Sequence, residues 1–203
     1  MKIAADTAFV VGQQAPPALV GCIVVGVVVG IPLIWLIATY NRFARLSQHV
    51  KESWSGVDVE LKRRHELIPN LVETVKGYAS HERETIEAVV AARSRAMQAG
   101  DEVRARVDGE GEVGRSLGRL VALAEAYPAL KADRHFLELQ RELSLTEDRI
   151  AASRRFYNAN VRELNALRAT FPSNLVAGAF GFGEQRFFEL DGAAERAAPQ
   201  VRV

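Results

Sequence analysis

"RRHELIPNLVETVKGYASHE", residues 63–82, carries two His-Glu dipeptides and a proline inside what otherwise reads as one amphipathic helix. Its apolar positions belong to a longer series: Phe43, Ser47, Val50, Trp54, Val57, Leu61, Arg64, Ile68, Leu71, Val75 and Tyr78. The steps alternate between four and three, a heptad seam of the kind that buries one helix face against another. The phase survives Pro69. A true break would reset it, so Pro69 reads as a kink within a single helix.

A second seam runs through Phe136, Leu139, Leu143, Thr146, Ile150, Ser153, Tyr157, Asn160, Leu164, Leu167 and Phe171, and Pro172 stands beyond it as a helix stop. Between the seams, "HERETIEAVVAARSRAMQ" and "EVGRSLGRLVALAEAY" fit two shorter amphipathic helices. The joint "AGDEVRARVDGEGEVG", residues 99–114, is glycine-rich and charged and reads as a loop, with a tight turn at Pro128. Gly77 is placed to cap the first helix and Ser80 to start the next. The expected fold is all-α: an N-terminal transmembrane helix, then an up-and-down antiparallel four-helix bundle with two long and two short helices. The expected helices cover about residues 18–40, 41–79, 81–98, 112–127 and 131–171, with the bundle domain spanning 41–190.

Matching the ends of the long helices pairs residues whose numbers add to about 211. Trp54 then meets Tyr157, Leu61 meets Ile150, Ile68 meets Leu143 and Val75 meets Phe136. Arg64, the charge in the first seam, falls beside Glu147, and a buried guanidinium needs such a carboxylate. Arg64, Glu147, Pro69, Asn70 (with Gln140 across from it), Asn160 and Pro172 are therefore candidate structural or interaction residues.

Upstream, "ALVGCIVVGVVVGIPLIWLIATY", residues 18–40, has no charge over 23 positions. As a helix it is about 34 Å long, enough for a bilayer core of about 30 Å. Trp35 and Tyr40 sit at one end, where amphipathic aromatics favour the interface. Cys22, Gly26 and Gly30 recur every four residues and form a small-residue face able to pair membrane helices, and Pro32 is a second expected kink. Arg42, Arg45 and Lys51 outweigh the upstream charge, which sets the short N-terminus, residues 1–17, outside and the large domain inside. The end, residues 191–203, has too little apolar content to order itself.

The balance of 26 basic against 25 acidic residues gives no cationic excess for nucleic acid, and one cysteine excludes an intrachain disulfide. With "YNRF", "RRHELIPNLVETVKGYASHE", "AVVAARS" and "AYPALKADRHFLELQRELSLTEDRIAASRRFYNANVRELNALRATFPSNLVAGAFGF" in order, the chain resembles the LemA family over residues 40–190. The loop at 99–114 and the last dozen residues contribute nothing to that resemblance. It implies a single-span bacterial inner-membrane protein with a helical-bundle domain, and no agreed biochemical activity.

No motif supplies catalysis. His65-Glu66 lacks the second histidine of a zincin helix, and the other histidines are scattered, so His65 and His81 read as helix-surface and capping residues. "GRSLG", residues 114–118, puts Ser116 in a Gly-x-Ser-x-Gly frame without the preceding strand that the elbow needs. "GAFGFG", residues 178–183, follows a helix and lacks a phosphate-loop lysine; it reads as a turn near the membrane whose Phe180 and Phe182 either pack under the bundle, the preferred reading because no basic face accompanies them, or dip into the interface. The expectation is a non-enzymatic, membrane-tethered scaffold without metal or cofactor, acting through self-association or an unknown protein partner. The alternative is an envelope-stress or signalling adaptor holding a ligand or peptide between helices, beside Thr146, Ser153 and Asn160.

Overall fold

The first element of the computed structural model is a single helix, α1 (Pro17–Tyr78), of 62 residues and about 93 Å. The structure describes residues 17–100 and 102–189, with the backbone alone for residues 17–25. The expected boundary between a span and a bundle helix near residue 40 is absent. No breaker separates the apolar run from the seam, and the helix passes through Pro32 and Pro69. Its first part is apolar and long enough to cross a membrane. Val28, Ile31 and Ile34 are more than 60% exposed there, with no protein packed around them.

α1 ends beside Lys76, whose charge suits a helix C-terminus. The expected caps are corrected. Gly77 is an ordinary helical residue, and the N-cap of α2 (Arg83–Gln98) is Glu82, not Ser80. α3 (Val103–Ala124) follows a short turn, so most of the expected loop at 99–114 is helix. Its buried residues Val107, Glu110, Val113, Leu117, Leu120 and Ala124 repeat in threes and fours. Glycines mask that rhythm, and Gly109 has a packing reason: a Cβ there would stand 3.0 Å from Ala96 Cα on α2. The α2/α3 pair can approach this closely only because that side chain is absent.

The expected helix at 131–171 begins in two pieces. α4 (Pro128–Lys131) has Pro128 in its first turn, and α5 (Arg134–Ala169) starts at Asp133, whose carboxylate accepts from Phe136 N at 2.8 Å. The chain leaves helix at Thr170, just before Pro172, and re-enters it as α6 (Ser173–Phe180). Half of the expected 178–183 turn is thus the end of that helix. Gly181 closes it at φ 72°, a left-handed conformation that favours glycine.

Among the described residues the structure is all-helical apart from turns and one extended tail segment. α1 packs chiefly on α5, and α2 on α3. Apolar burial falls into two clusters. The distal one joins Ile68, Leu71 and Val75 to Phe136, Leu139 and Leu143, and to Ile86, Val89, Leu117 and Leu120 of the short helices. The proximal one joins Phe43, Val50, Val57 and Leu61 to Ile150, Tyr157 and Leu164, with Phe188 from the tail. Two hydroxyl bridges hold the distal end: Tyr78 to Asp133 at 2.9 Å and Tyr127 to Glu82 at 3.1 Å.

Candidate functional site

Between the two apolar clusters lies a polar layer. Arg64 and His65 are consecutive on α1, and both are buried because α5 covers one side of the helix and the α2/α3 pair the other. Arg64 Nη1 donates to Glu147 Oε1 at 3.0 Å, the partner that the register arithmetic names. Its more deeply buried partner is one the sequence did not offer. Arg64 Nη2 donates to Glu110 Oε2 on α3, and His65 Nε2 stands 2.9 Å from Glu110 Oε1. Glu110 is 1% exposed, whereas the Glu147 side chain is 43% exposed. Arg93 of α2 closes the layer by donating to the His65 carbonyl at 2.8 Å.

Burial alone would push the Glu110 carboxyl up, but the His65 hydrogen bond and the Arg64 and His65 charges outweigh it. The net direction is below the ordinary carboxylate value. Such a group is an occupied acceptor, a poor general base, and an electrostatic clip joining α1 to α3. His65 is therefore a buried member of the cluster and not the helix-surface residue expected from sequence. His81 lies exposed in the α1–α2 turn, and among the described residues no three His, Cys, Asp or Glu side chains gather to hold a metal. Ser116 sits within α3 on no strand-to-helix elbow; it is 1% exposed and donates to the Val113 carbonyl at 2.9 Å.

The other sequence candidates disperse. Asn70 and Pro69 are on the exposed face of α1, so Asn70 is outside the seam. Asn160 Nδ2 reaches the His49 carbonyl at 3.5 Å, Pro172 is exposed before α6, and Gly26 and Gly30 face open space. The side chain of Cys22 and the segments 1–16 and 190–203 lie outside the described residues.

A second polar device went unread in the sequence. Beyond α6, residues 182–189 run back along the hairpin as an extended strap. Asn165 accepts from Gln185 N at 3.0 Å and donates to Gln185 O at 2.8 Å. One heptad away, Asn158 does the same to Phe188, at 2.8 and 3.0 Å. Each asparagine amide thus satisfies both backbone groups of one strap residue, as a neighbouring β-strand would. Tyr157 adds a hydroxyl bond to the Arg186 carbonyl at 2.9 Å, and Phe188 packs 5.8 Å from the Trp54 ring. Trp54 and Tyr157 themselves lie 5.3 Å apart, in the expected register.

Sequence comparison bears on the same residues. A LemA-family profile matches residues 53–203. The chain belongs to the LemA family. The match covers the polar layer, α6 and the strap. It also includes residues 99–114 and the last dozen residues, which carry none of the motifs quoted above. The chain is 27% identical over 149 residues to Protein LemA of Metamycoplasma hominis, covering 73% of this chain and 68% of the relative. It is 26% identical over 179 residues to Magnetosome protein MamQ 2 of Paramagnetospirillum magneticum, covering 76% and 66%. For Magnetosome protein MamQ of Magnetospirillum gryphiswaldense the identity is 26% over 178 residues, covering 75% and 65%. The chain thus spans about two-thirds of the length of the MamQ relatives it matches.

Glu110 was missed because glycines on both sides of it disguised a helix. The signal present was the spacing Val103, Val107, Glu110, Val113, Leu117. The asparagine ladder had a signal too: Asn158 and Asn165 share a helix face, one heptad apart.

Proposed function

We propose that the chain is a non-enzymatic, membrane-tethered scaffold, its N-terminus outside the bacterial cytoplasmic membrane and its helical domain in the cytoplasm. The observation that carries this reading is the continuity of α1, in which an exposed apolar stretch passes without interruption into a packed seam. One rigid element thus links the bilayer to the domain, and the two helical hairpins act together as an up-and-down four-helix unit that rises from the membrane surface. Protein partners engage its distal end. There a groove of about 610 Å³ between α1 and α2 is lined by Ile86, Val90 and Ala91, with Lys76, Arg83 and Glu87 at its rim. The Gly26 and Gly30 face supports self-association, because a close-packed membrane helix finds no side chain in its way.

Two measurements test this. With Cys22→Ser as background, Ser80→Cys at the distal turn should resist a membrane-impermeant thiol reagent in intact cells and react after lysis. Labelling in intact cells would invert the topology and end the cytoplasmic reading. Affinity capture of the full chain from native membranes should recover a partner that Val90→Glu loses; identical recovery would move the docking surface elsewhere.

The adaptor reading keeps one structural support. A groove of about 420 Å³ separates α3 from α5, lined by Gly114, Gly118, Gln140, Ser144 and Glu147. It is not beside Thr146, whose hydroxyl is spent on the Glu142 carbonyl, nor is it lined by Ser153 or Asn160. Gly118→Leu fills this groove and should leave partner capture intact if the scaffold reading is right.

A further inference from the structure

In a chain with 25% charged residues, positions 169–183 carry none. This stretch holds α6, whose inner face (Ser173, Val176 and Ala177) is buried against α1 and α5. Away from that face Leu175 is 62% exposed and Phe171, just before the helix, 76%; Phe180, at the helix end on the inner stripe, still leaves 52% of its surface open. A soluble surface seldom gathers three such side chains on one short segment without something to cover them.

The height of α6 along α1 says what the cover is. Phe180 lies 5.0 Å from Tyr40, and Phe182 lies 5.7 Å from Tyr40 and stacks at 4.8 Å on Phe43. Tyr40 closes the charge-free run of α1, and Leu36, inside that run, packs against the same cluster. The exposed face of α6 is therefore level with the end of the span. The charges that bracket the stretch, Arg168 and Glu184, pair with each other at 3.7 Å, and charged side chains resume only beyond them.

We propose that α6 is a second membrane contact, lying in the interface beside the span with Phe171, Leu175 and Phe180 in the boundary between headgroups and acyl chains. The assignment rests on α1 being a membrane span. It differs from an amphipathic surface helix that binds through a basic face, because α6 has no cation of its own. Its hold on lipid is apolar, and anionic lipid adds little. Phe180 and Phe182 also pack on α1, so the contact fixes the angle at which the hairpin leaves the membrane.

The test uses the full chain with Cys22→Ser, reconstituted into vesicles of phosphatidylcholine and phosphatidylglycerol. Single cysteines at Leu175, Val28 and Glu138 carry an environment-sensitive fluorophore, read against lipids with quenchers at shallow or deep acyl positions. The Leu175→Cys label should be quenched best by the shallow lipid, the Val28→Cys label by the deep one, and the distal Glu138→Cys label by neither. Quenching at Val28 without quenching at Leu175 overturns the α6 assignment while leaving the span. No quenching at Val28 overturns the span and the proposal with it. A Leu175 label shielded from water but untouched by either lipid quencher also overturns it, and identifies a second copy of the chain as the cover.

Discussion

Replacing Arg64 by methionine removes a guanidinium that serves two carboxylates. Glu110 is 1% exposed and keeps only His65, so its charge is left buried with half its partners. Breaking a buried pair from one side costs about 3–5 kcal/mol, a large share of the roughly 5–15 kcal/mol that holds a domain together. Glu147 has a side chain 43% exposed and can turn to water, so its loss of Arg64 costs about 1 kcal/mol or less. The two carboxylates are thereby separable in double-mutant cycles, read by urea unfolding of the detergent-solubilised chain with circular dichroism. Arg64→Met with Glu110→Met should recover most of the single-mutant loss, because apolar replacement of both members is tolerated. Arg64→Met with Glu147→Leu should recover little. Additive losses for Arg64 and Glu110, or equal coupling to both carboxylates, would refute the claim that the α3 contact dominates.

Acid should act through the same residue. The folded Glu110 carboxyl lies below its ordinary value of 4.5, so its stabilisation is complete above that value and fades as pH falls through it toward the lower folded value. Glu110→Gln should flatten the stability curve below about pH 5, and an unchanged acid slope would assign it to other groups. Gly109→Ala puts a methyl group 3.0 Å from the α2 backbone and should cost about 1–3 kcal/mol. Gly118→Ala, in open space on the same helix, should gain up to about 1 kcal/mol in thermal unfolding; equal effects would deny the close approach. Asn158→Leu with Asn165→Leu should speed hydrogen exchange at the Gln185 and Phe188 amides while sparing Leu61, and unchanged protection would mean that packing alone holds the strap.

Periodicity made the long seam legible, because α1 and α5 bury its central positions: Phe43, Leu61, Ile68 and Val75 on one side, Phe136, Leu143, Ile150 and Leu164 on the other. Its ends were misplaced: Tyr78 is 44% exposed, and Phe171, beyond the end of α5 at Ala169, is 76% exposed. The register followed, since pairing ends of equal length is geometry, and Trp54 does meet Tyr157. Composition misled at residues 103–114. Gly109 and Gly114 cost helix propensity, but close packing against Ala96 requires the first of them, and tertiary contact overrode local preference. The polar layer was half legible for the same reason. Arg64 announced a need for a carboxylate, Glu147 answered it by register, and Glu110 lay on a helix that did not look like one. Of the strap only one half was legible: Asn158 and Asn165 share a face of α5, but the groups they hold are backbone groups, which any sequence carries.

The polar layer has a task that the apolar seam cannot perform. Sliding α5 by one heptad against α1 leaves the apolar positions matched: Leu61 would meet Tyr157 or Leu143, and Ile68 would meet Ile150 or Phe136. Packing alone therefore distinguishes poorly between the native register and its neighbours. Arg64 distinguishes sharply. Slipped one way it faces Arg154, a like charge; slipped the other way it faces Gln140, which offers no charge. Glu147 meanwhile would point at Leu71 or Val57, both buried. Each slip takes Glu147 away from Arg64, and one of them sets a like charge in its place, while Glu110 on α3 keeps its hold on the guanidinium in every case. Glu110 extends the same discrimination to α3, whose apolar spacing also repeats and so could also slide. A buried ion pair adds little net stability over an apolar pair of similar volume, so its worth here lies in excluding those alternatives. Register sets where the strap asparagines and α6 fall along α1, and hence whether the uncharged face of α6 arrives level with Tyr40. A slip of one heptad would move it about 10 Å along the axis, out of line with the end of the apolar run.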